Sequence, residues 1–209
     1  LLESSTVLST ELRAHVKAAL AACVGGVPRC HLLNRRLDGA MLLELFTRDG
    51  VGTLVSSAPF EDMRHATIND VGGILELIAP LETAGVLVPR TRERLEMEID
   101  DYTVIERDGM IIGCAALHSY INQNMGEIAC LVLHQDYRGG KRGELMLELL
   151  EAQARQQGLQ QVFVLTTQTE HWFRERGFAP AAVTDLPIER QTQYNPNRNP
   201  KVLTKTLDR

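Results

Sequence analysis

Apolar residues recur every three or four positions between residues 9 and 24, at Leu12, Val16, Leu20 and Cys23. That spacing predicts an amphipathic helix, which Gly25-Gly26 ends. Arg29-Cys30-His31-Leu32-Leu33 reads as a short strand. Asp38 precedes a helical segment from Met41 to Phe46, stopped at Arg48-Asp49-Gly50, and Val51-Gly52-Thr53-Leu54-Val55 reads as a second strand. So few elements cannot enclose a core, and they look like the last piece of a larger α/β domain. Turn formers cluster at Ser56-Ser57-Ala58-Pro59, which sets the expected division at residues 1–57 and 60–209.

The pattern restarts at Met63-Arg64-His65-Ala66. Thr67-x-x-Asp70 is a capping box opening a helix through Ile74, Leu77 and Ile78, and residues 91–99 predict a second, short helix. Tyr102 to Arg107 and Met110 to Leu117 are apolar runs around Asp108-Gly109, the strongest short hairpin signal. Gly126 to Leu133 is a further strand, residues 143–157 a long helix with Leu145, Leu149 and Ala152 on one face, and Gln161 to Leu165 the next strand. Glu170 to Arg176 reads as a short helix halted at Gly177. Lys201 to Leu207 reads as a last strand after a polar loop rich in Asn and Pro.

Composition removes several functions. The 209 residues carry 22 Lys+Arg against 27 Asp+Glu, a net charge of −5, so no basic excess covers a nucleic-acid backbone. No apolar run reaches the roughly 18 residues of a membrane span. The expectation is a cytoplasmic protein with no nucleic-acid or membrane partner. Cys23, Cys30, Cys114 and Cys130 form no CxxC and no disulfide framework, and His134 and His171 lack metal-ligand spacing, so no metal is expected. The chain opens Leu1-Leu2-Glu3 without Met, which points to a missing upstream part.

The stretch from Glu127 to Leu150 carries the chemistry. It runs strand, turn, helix, with Arg138-Gly139-Gly140-Lys141-Arg142-Gly143-Glu144 at the turn. Such a turn leaves backbone N–H groups at a helix N-terminus free for phosphate oxygens, and three basic residues add local charge. The same glycines would also suit a plain strand-to-helix turn with a solvated rim.

Residues 63–207 resemble the GNAT N-acetyltransferases in element order and motifs. The family pattern Arg/Gln-x-x-Gly-x-Gly/Ala, which cradles the coenzyme A pyrophosphate, reads here Arg138-x-x-Lys141-x-Gly143, and the later aromatic motif matches Trp172-Phe173-x-x-x-Gly177-Phe178. Gly126-Glu127-Ile128-Ala129-Cys130, Leu165-Thr166-Thr167 and the upstream Leu45-Phe46-Thr47-Arg48-Asp49-Gly50-Val51-Gly52-Thr53 narrow the resemblance to the bacterial N-acetylglutamate synthases. It implies an α/β (α+β) fold: a mixed, splayed sheet flanked by helices, preceded by the remnant of an amino-acid-kinase-like α/β domain.

The resemblance implies acetyl transfer from acetyl-CoA, a cosubstrate, directly to L-glutamate, the first step of arginine synthesis. It further implies arginine as feedback inhibitor through the upstream domain, and a homo-oligomer for the full-length protein. Glu127 takes the place of the general base and Thr166 that of a hydroxyl near the thiolate. Coenzyme A falls to Cys130, Leu131, Val132, Leu133, Arg138, Gly139, Gly140, Lys141, Arg142, Gly143, Glu144 and Phe173. Arg90 and Arg198 match the arginines that hold the glutamate carboxylates, with Lys201 assisting; a guanidinium fork suits a carboxylate because two parallel N–H bonds fix its orientation. Cys130 is a packing residue more readily than a nucleophile, since direct transfer needs no acyl-enzyme. The many members that protonate the departing thiolate use a Tyr in the helix where this chain has Trp172 and Phe173, so that role falls to another group or to water. The alternatives are an acetyltransferase for another small amine or a protein N-terminus, and a non-catalytic arginine-sensing module.

Overall fold

The computed structural model describes residues 9–47, 50–57 and 60–208, so the Arg48-Asp49 stop and the Ala58-Pro59 boundary lie outside the described residues. The chain divides into two compact units, Leu1–Phe60 and Glu61–Arg209.

The first unit holds helix α1 (Thr10–Val24), strand β1 (Arg29–Leu32), helix α2 (Ala40–Phe46) and strand β2 (Thr53–Ser56). Ser9 caps α1 by accepting the Leu12 N–H. β1 and β2 pair antiparallel, with Cys30 opposite Val55. The second strand starts at Thr53, two residues later than the sequence suggests, because Glu44 draws in the Val51 and Gly52 N–H groups at 2.7 and 2.8 Å and turns the chain there. Few apolar side chains of this unit are buried; Met41, Leu42, Leu45 and Phe46 of α2 all stand exposed.

The second unit contains β3 (Glu61–His65), α3 (Val71–Thr83), α4 (Arg92–Met97), β4 (Tyr102–Arg107), β5 (Met110–Tyr120), β6 (Met125–Leu133), α5 (Arg142–Gln156), β7 (Gln161–Thr166), α6 (Glu170–Arg174), β8 (Ala179–Ala181), α7 (Ile188–Thr192) and β9 (Lys201–Thr206). Its strands lie in the order β3-β4-β5-β6-β7-β9-β8. Among the described residues only the β6–β7 pair of this sheet is parallel. Asp108 and Gly109 both have positive φ, 49° and 78°, the two left-handed residues that a tight hairpin between β4 and β5 demands. The capping box before α3 forms as well: Asp70 accepts from the Thr67 N–H, and its pairing with Arg64, aided by Thr67 against the effect of burial, holds its pKa at about 2.

Alternate residues of the strands face opposite helices. Val104, Ile111, Cys114 and Val132 pack with Val71, Ile74 and Ile78 of α3 and Leu95 of α4. Ile105, Ile112, Ala115 and Val164 pack with Met146, Leu147, Leu150 and Ala154 of α5. A third cluster joins Phe163, Met125, Leu186 and Val202. Two elements carry no readable sequence signal. β8, Ala-Pro-Ala, alternates nothing and is possible only because it is the sheet's last strand, where Pro180 need not donate. α7 is too short to show periodicity.

Candidate active site

β6 and β7 run side by side only from Met125↔Gln161 to Glu127↔Phe163, and beyond that pair they part. The cause lies in β6. Its pairing with β5 slips between Cys114 and Ala116, and Cys130 takes φ +52°, which turns the strand away from its neighbour. A cavity of about 920 Å³ opens between the parted strands, walled by residues 127–133 on one side and 164–169 on the other.

Cavity and turn meet at the start of α5. Gly139, Gly140 and Lys141 all have positive φ, 86°, 59° and 63°. No side chain caps the helix, and its first N–H groups have no acceptor among the described residues. An open helix N-terminus of this kind favours an anion. Gly143 sits at a close approach: a Cβ there would lie 3.3 Å from the Trp172 ring, which would have to give by a few tenths of an ångström. Trp172 is in turn covered by the Arg176 guanidinium, 4.0 Å from the ring centre, and Arg176 also pairs with Glu144. Phe173 is buried between Trp172 and Phe178 and lines the same wall.

Most of the residues singled out from the sequence line this one cavity: Glu127, Thr166, Cys130, Leu131, Val132, Leu133, Arg138, Gly139, Lys141, Gly143, Glu144, Phe173, Arg90 and Arg198. Gly140, Arg142 and Lys201 do not line it. Arg142 turns back instead to Glu61, donating from Nε and Nη2 at 2.7 and 2.6 Å, and from Nη1 to the Tyr137 carbonyl. Those bonds, joined by one from Arg107, hold the Glu61 carboxyl below the usual carboxylate range against the effect of burial. Lys201 begins β9 opposite Thr166 with its side chain exposed, and the cavity is walled there by Pro200. The Thr166 hydroxyl is engaged locally, accepting the Thr169 N–H at 3.0 Å and sharing a hydrogen with the Thr169 hydroxyl at 2.7 Å.

Positive charge collects at the other end. Arg198 donates from Nη2 to the carbonyls of Gly85 and Val86, which ties its loop to the segment carrying Arg90, and Arg90 donates from Nη1 to Val88. Both residues line the cavity. A third guanidinium, Arg190 of α7, pairs with Glu127, Nε to Oε2 at 2.7 Å and Nη2 to Oε1 at 3.1 Å. Burial opposes its charge, and the Glu127 bonds outweigh that. Tyr120 adds a hydroxyl 3.3 Å from Oε2; burial and the Glu127 charge push its pKa up to about 12, so it stays a neutral donor. Sequence reasoning missed Arg190 because a lone arginine in a polar stretch carries no signal of a partner 63 residues away. Cys114 is a packing group: its hydrogen bonding to Cys130 and full burial push the thiol up.

A parted parallel strand pair beside an open helix N-terminus has a counterpart among known proteins. The profile of the "Acetyltransferase (GNAT) family" matches residues 73–178. The chain belongs to the GNAT acetyltransferase family. The amino-acid acetyltransferase of Aeromonas salmonicida is 54% identical over 193 residues, 92% of this chain and 44% of that protein. The one from Pseudomonas fluorescens is 56% identical over 190 residues, again 44% of its length. The chain thus spans less than half the length of these curated relatives. Among solved structures, the N-acetylglutamate synthase of Neisseria gonorrhoeae complexed with coenzyme A and L-arginine aligns with a TM-score of 0.87 at 39% identity, over 100% of this chain and 47% of that one. The same enzyme complexed with coenzyme A and N-acetyl-glutamate aligns at 0.69 and 40%. Where the turn pattern set out from the sequence has glycine, this chain has Lys141, whose φ of 63° is the left-handed conformation that glycine adopts at least cost.

Proposed function

We propose that this chain carries the acetyl-transfer site of an L-glutamate N-acetyltransferase that uses acetyl-CoA, in the bacterial cytoplasm and in the route to arginine. One observation carries the reading. A single cavity has an anion-seeking helix N-terminus at one end and, at the other, a buried carboxylate among three arginines. The names of the relatives support it, as do the coenzyme A and N-acetyl-glutamate complexes of the Neisseria gonorrhoeae enzyme.

The residues fit coenzyme A. The Gly139–Glu144 backbone offers N–H groups to a pyrophosphate, Gly143 lets the chain come close, and the unpaired edges of β6 and β7 offer peptide groups to an extended amide-bearing arm. Acetyl-CoA supplies the thioester that reacts. The remaining steps belong to the protein. Arg90 and Arg198 orient the two carboxylates of glutamate so that its amine points at the parted strands. Glu127, directly or through a water, accepts the proton the ammonium must lose. The wall of Trp172, Phe173 and Leu133 excludes water from the thioester. Thr166, held by Thr169, positions a hydrogen bond near the departing sulfur. Feedback by L-arginine and assembly into oligomers belong, in this reading, to the longer protein.

The experiment is thiol release from acetyl-CoA with a panel of amino acids. Glutamate should exceed glutamine and aspartate by about 10²–10³-fold in kcat/KM, because either change leaves a guanidinium unpaired. Arg198→Ala should remove most of that preference. Equal kcat/KM for glutamate and glutamine in the unmutated protein would overturn the acceptor assignment.

A further inference from the structure

The carboxylate assigned as proton acceptor already has partners on both oxygens. Both Glu127 oxygens accept from Arg190, Oε2 also receives the Tyr120 hydroxyl, and the residue is 7% exposed. Protonation would break a charge-assisted pairing where little water can replace it.

A second base stands alongside. His118 of β5 is the register partner of Glu127 on β6. Residues directly opposite in an antiparallel ladder project from the same face, with Cβ atoms about 5 Å apart. One ring nitrogen is fixed: Nδ1 lies 2.8 Å from Oδ2 of Asp101, and the Tyr102 ring meets the imidazole edge-on with centroids 6.4 Å apart. With Asp101 taking the Nδ1 hydrogen, the neutral ring keeps Nε2 as an acceptor. No described residue hydrogen-bonds Nε2.

We propose that His118, oriented by Asp101, receives the proton that the acceptor amine gives up, reached through Glu127. This inference rests on the acetyl-transfer reading, in which amide formation from an ammonium releases one proton per turnover. An N–H bond of the ammonium breaks and the proton passes to a Glu127 oxygen or a water bound to it. An Nε2–H bond then forms on His118 while Glu127 returns to Arg190. The imidazolium, whose side chain is 21% exposed, releases the proton to solvent. His118 acts through Glu127 and is therefore a positioning residue.

The groups facing the ring are Asp101 and Glu98 beyond α4, Glu127 from β6 and Tyr102 from β4. Burial disfavours the imidazolium, but the hydrogen bond to Asp101 and the negative charges of Asp101, Glu127 and Glu98 outweigh it and raise the pKa above the ordinary histidine value. Only neutral His118 can accept, so activity should rise with pH through that raised value.

The test is the pH profile of kcat at saturating acetyl-CoA and glutamate, with the histidine titration read by NMR in the same proteins. The unmutated protein should show an acid limb in the histidine range. His118→Phe keeps the ring packing, and should lower kcat at pH 7 roughly 10–10²-fold and abolish the limb in the histidine range. Asp101→Asn keeps a hydrogen-bond acceptor but removes the charge, and should shift limb and titration midpoint together to lower pH. An active protein whose acid limb is the same in all three forms overturns the proposal. If the unmutated protein does not acetylate glutamate, the acetyl-transfer reading fails instead, and the NMR titration decides the coupling. A His118 midpoint that falls in Glu127→Gln upholds the pairing; one that stays fixed overturns it.

Discussion

At the scale of single residues, the site is organised around a carboxylate that would be costly to bury alone. Arg190 donates to both oxygens of Glu127, so each makes the other tolerable. Removing one partner from such a pair costs more than removing both, because the survivor stays charged and desolvated. Arg190→Gln should therefore destabilise the fold by about 3–5 kcal/mol in urea unfolding, while the double variant with Glu127→Gln should recover much of that loss. Strictly additive losses would mean the pair is solvated and the site wetter than its geometry suggests. If the proposed acetyl transfer holds, Glu127→Gln alone should lower kcat roughly 10²–10⁴-fold, the usual worth of general-base help. Glu127 was singled out in the sequence because it stands near the start of the strand before the glycine turn, where the resemblance implies a general base. Arg190 was not, because an ion pair between distant segments leaves no local pattern. His118 was equally silent, since only the β5–β6 register brings it opposite Glu127.

At the scale of elements, the strand–turn–helix from β6 to α5 was readable, for its glycines and basic residues lie within a few positions of one another. The parting of β6 from β7 was not readable. It depends on a slip in strand pairing and on a left-handed cysteine, and cysteine has no preference for that conformation. The roles of the turn's basic residues also needed the fold. Arg142 resembles a phosphate ligand in sequence, yet its guanidinium is tied to Glu61 of β3 and to the Tyr137 carbonyl, behind the turn. Those bonds predict that it clamps the turn. Arg142→Gln should then raise KM for acetyl-CoA about tenfold with little change in kcat, the scale of a lost charge-assisted hydrogen bond. Glu61→Gln separates the two possible roles. If Arg142 clamps the turn, losing its partner raises KM in the same way. If Arg142 touches the phosphates, freeing it from Glu61 leaves KM unchanged or lowers it, and steady-state kinetics with acetyl-CoA as varied substrate distinguishes the outcomes.

At the scale of the whole molecule, the uneven distribution of buried surface was legible in the sequence, since a helix, two short strands and a second helix have too little apolar surface to close on themselves. All three clusters of buried apolar side chains belong to residues 61–209, whereas residues 9–57 bury only Ala19, Cys23 and Ala40 among their described apolar side chains. Two of those are alanines, and burying so little area cannot offset the conformational entropy of ordering some fifty residues at roughly 1–2 kcal/mol each. The second unit, by contrast, sandwiches a seven-stranded sheet between α3 and α4 on one face and α5 on the other. Each fully buried Leu, Ile or Phe there contributes about 1.5–3 kcal/mol. Expressed alone, residues 61–209 should therefore unfold in urea as one cooperative transition, with coincident far-ultraviolet and tryptophan signals from Trp172. Residues 1–60 alone should show the circular dichroism of a largely disordered chain and no sigmoidal transition. A cooperative transition in the short piece would show that α1, β1 and β2 bury more than these side chains account for. A gradual, non-coincident loss of signal in 61–209 would show that the clusters around the sheet are not by themselves a folding unit.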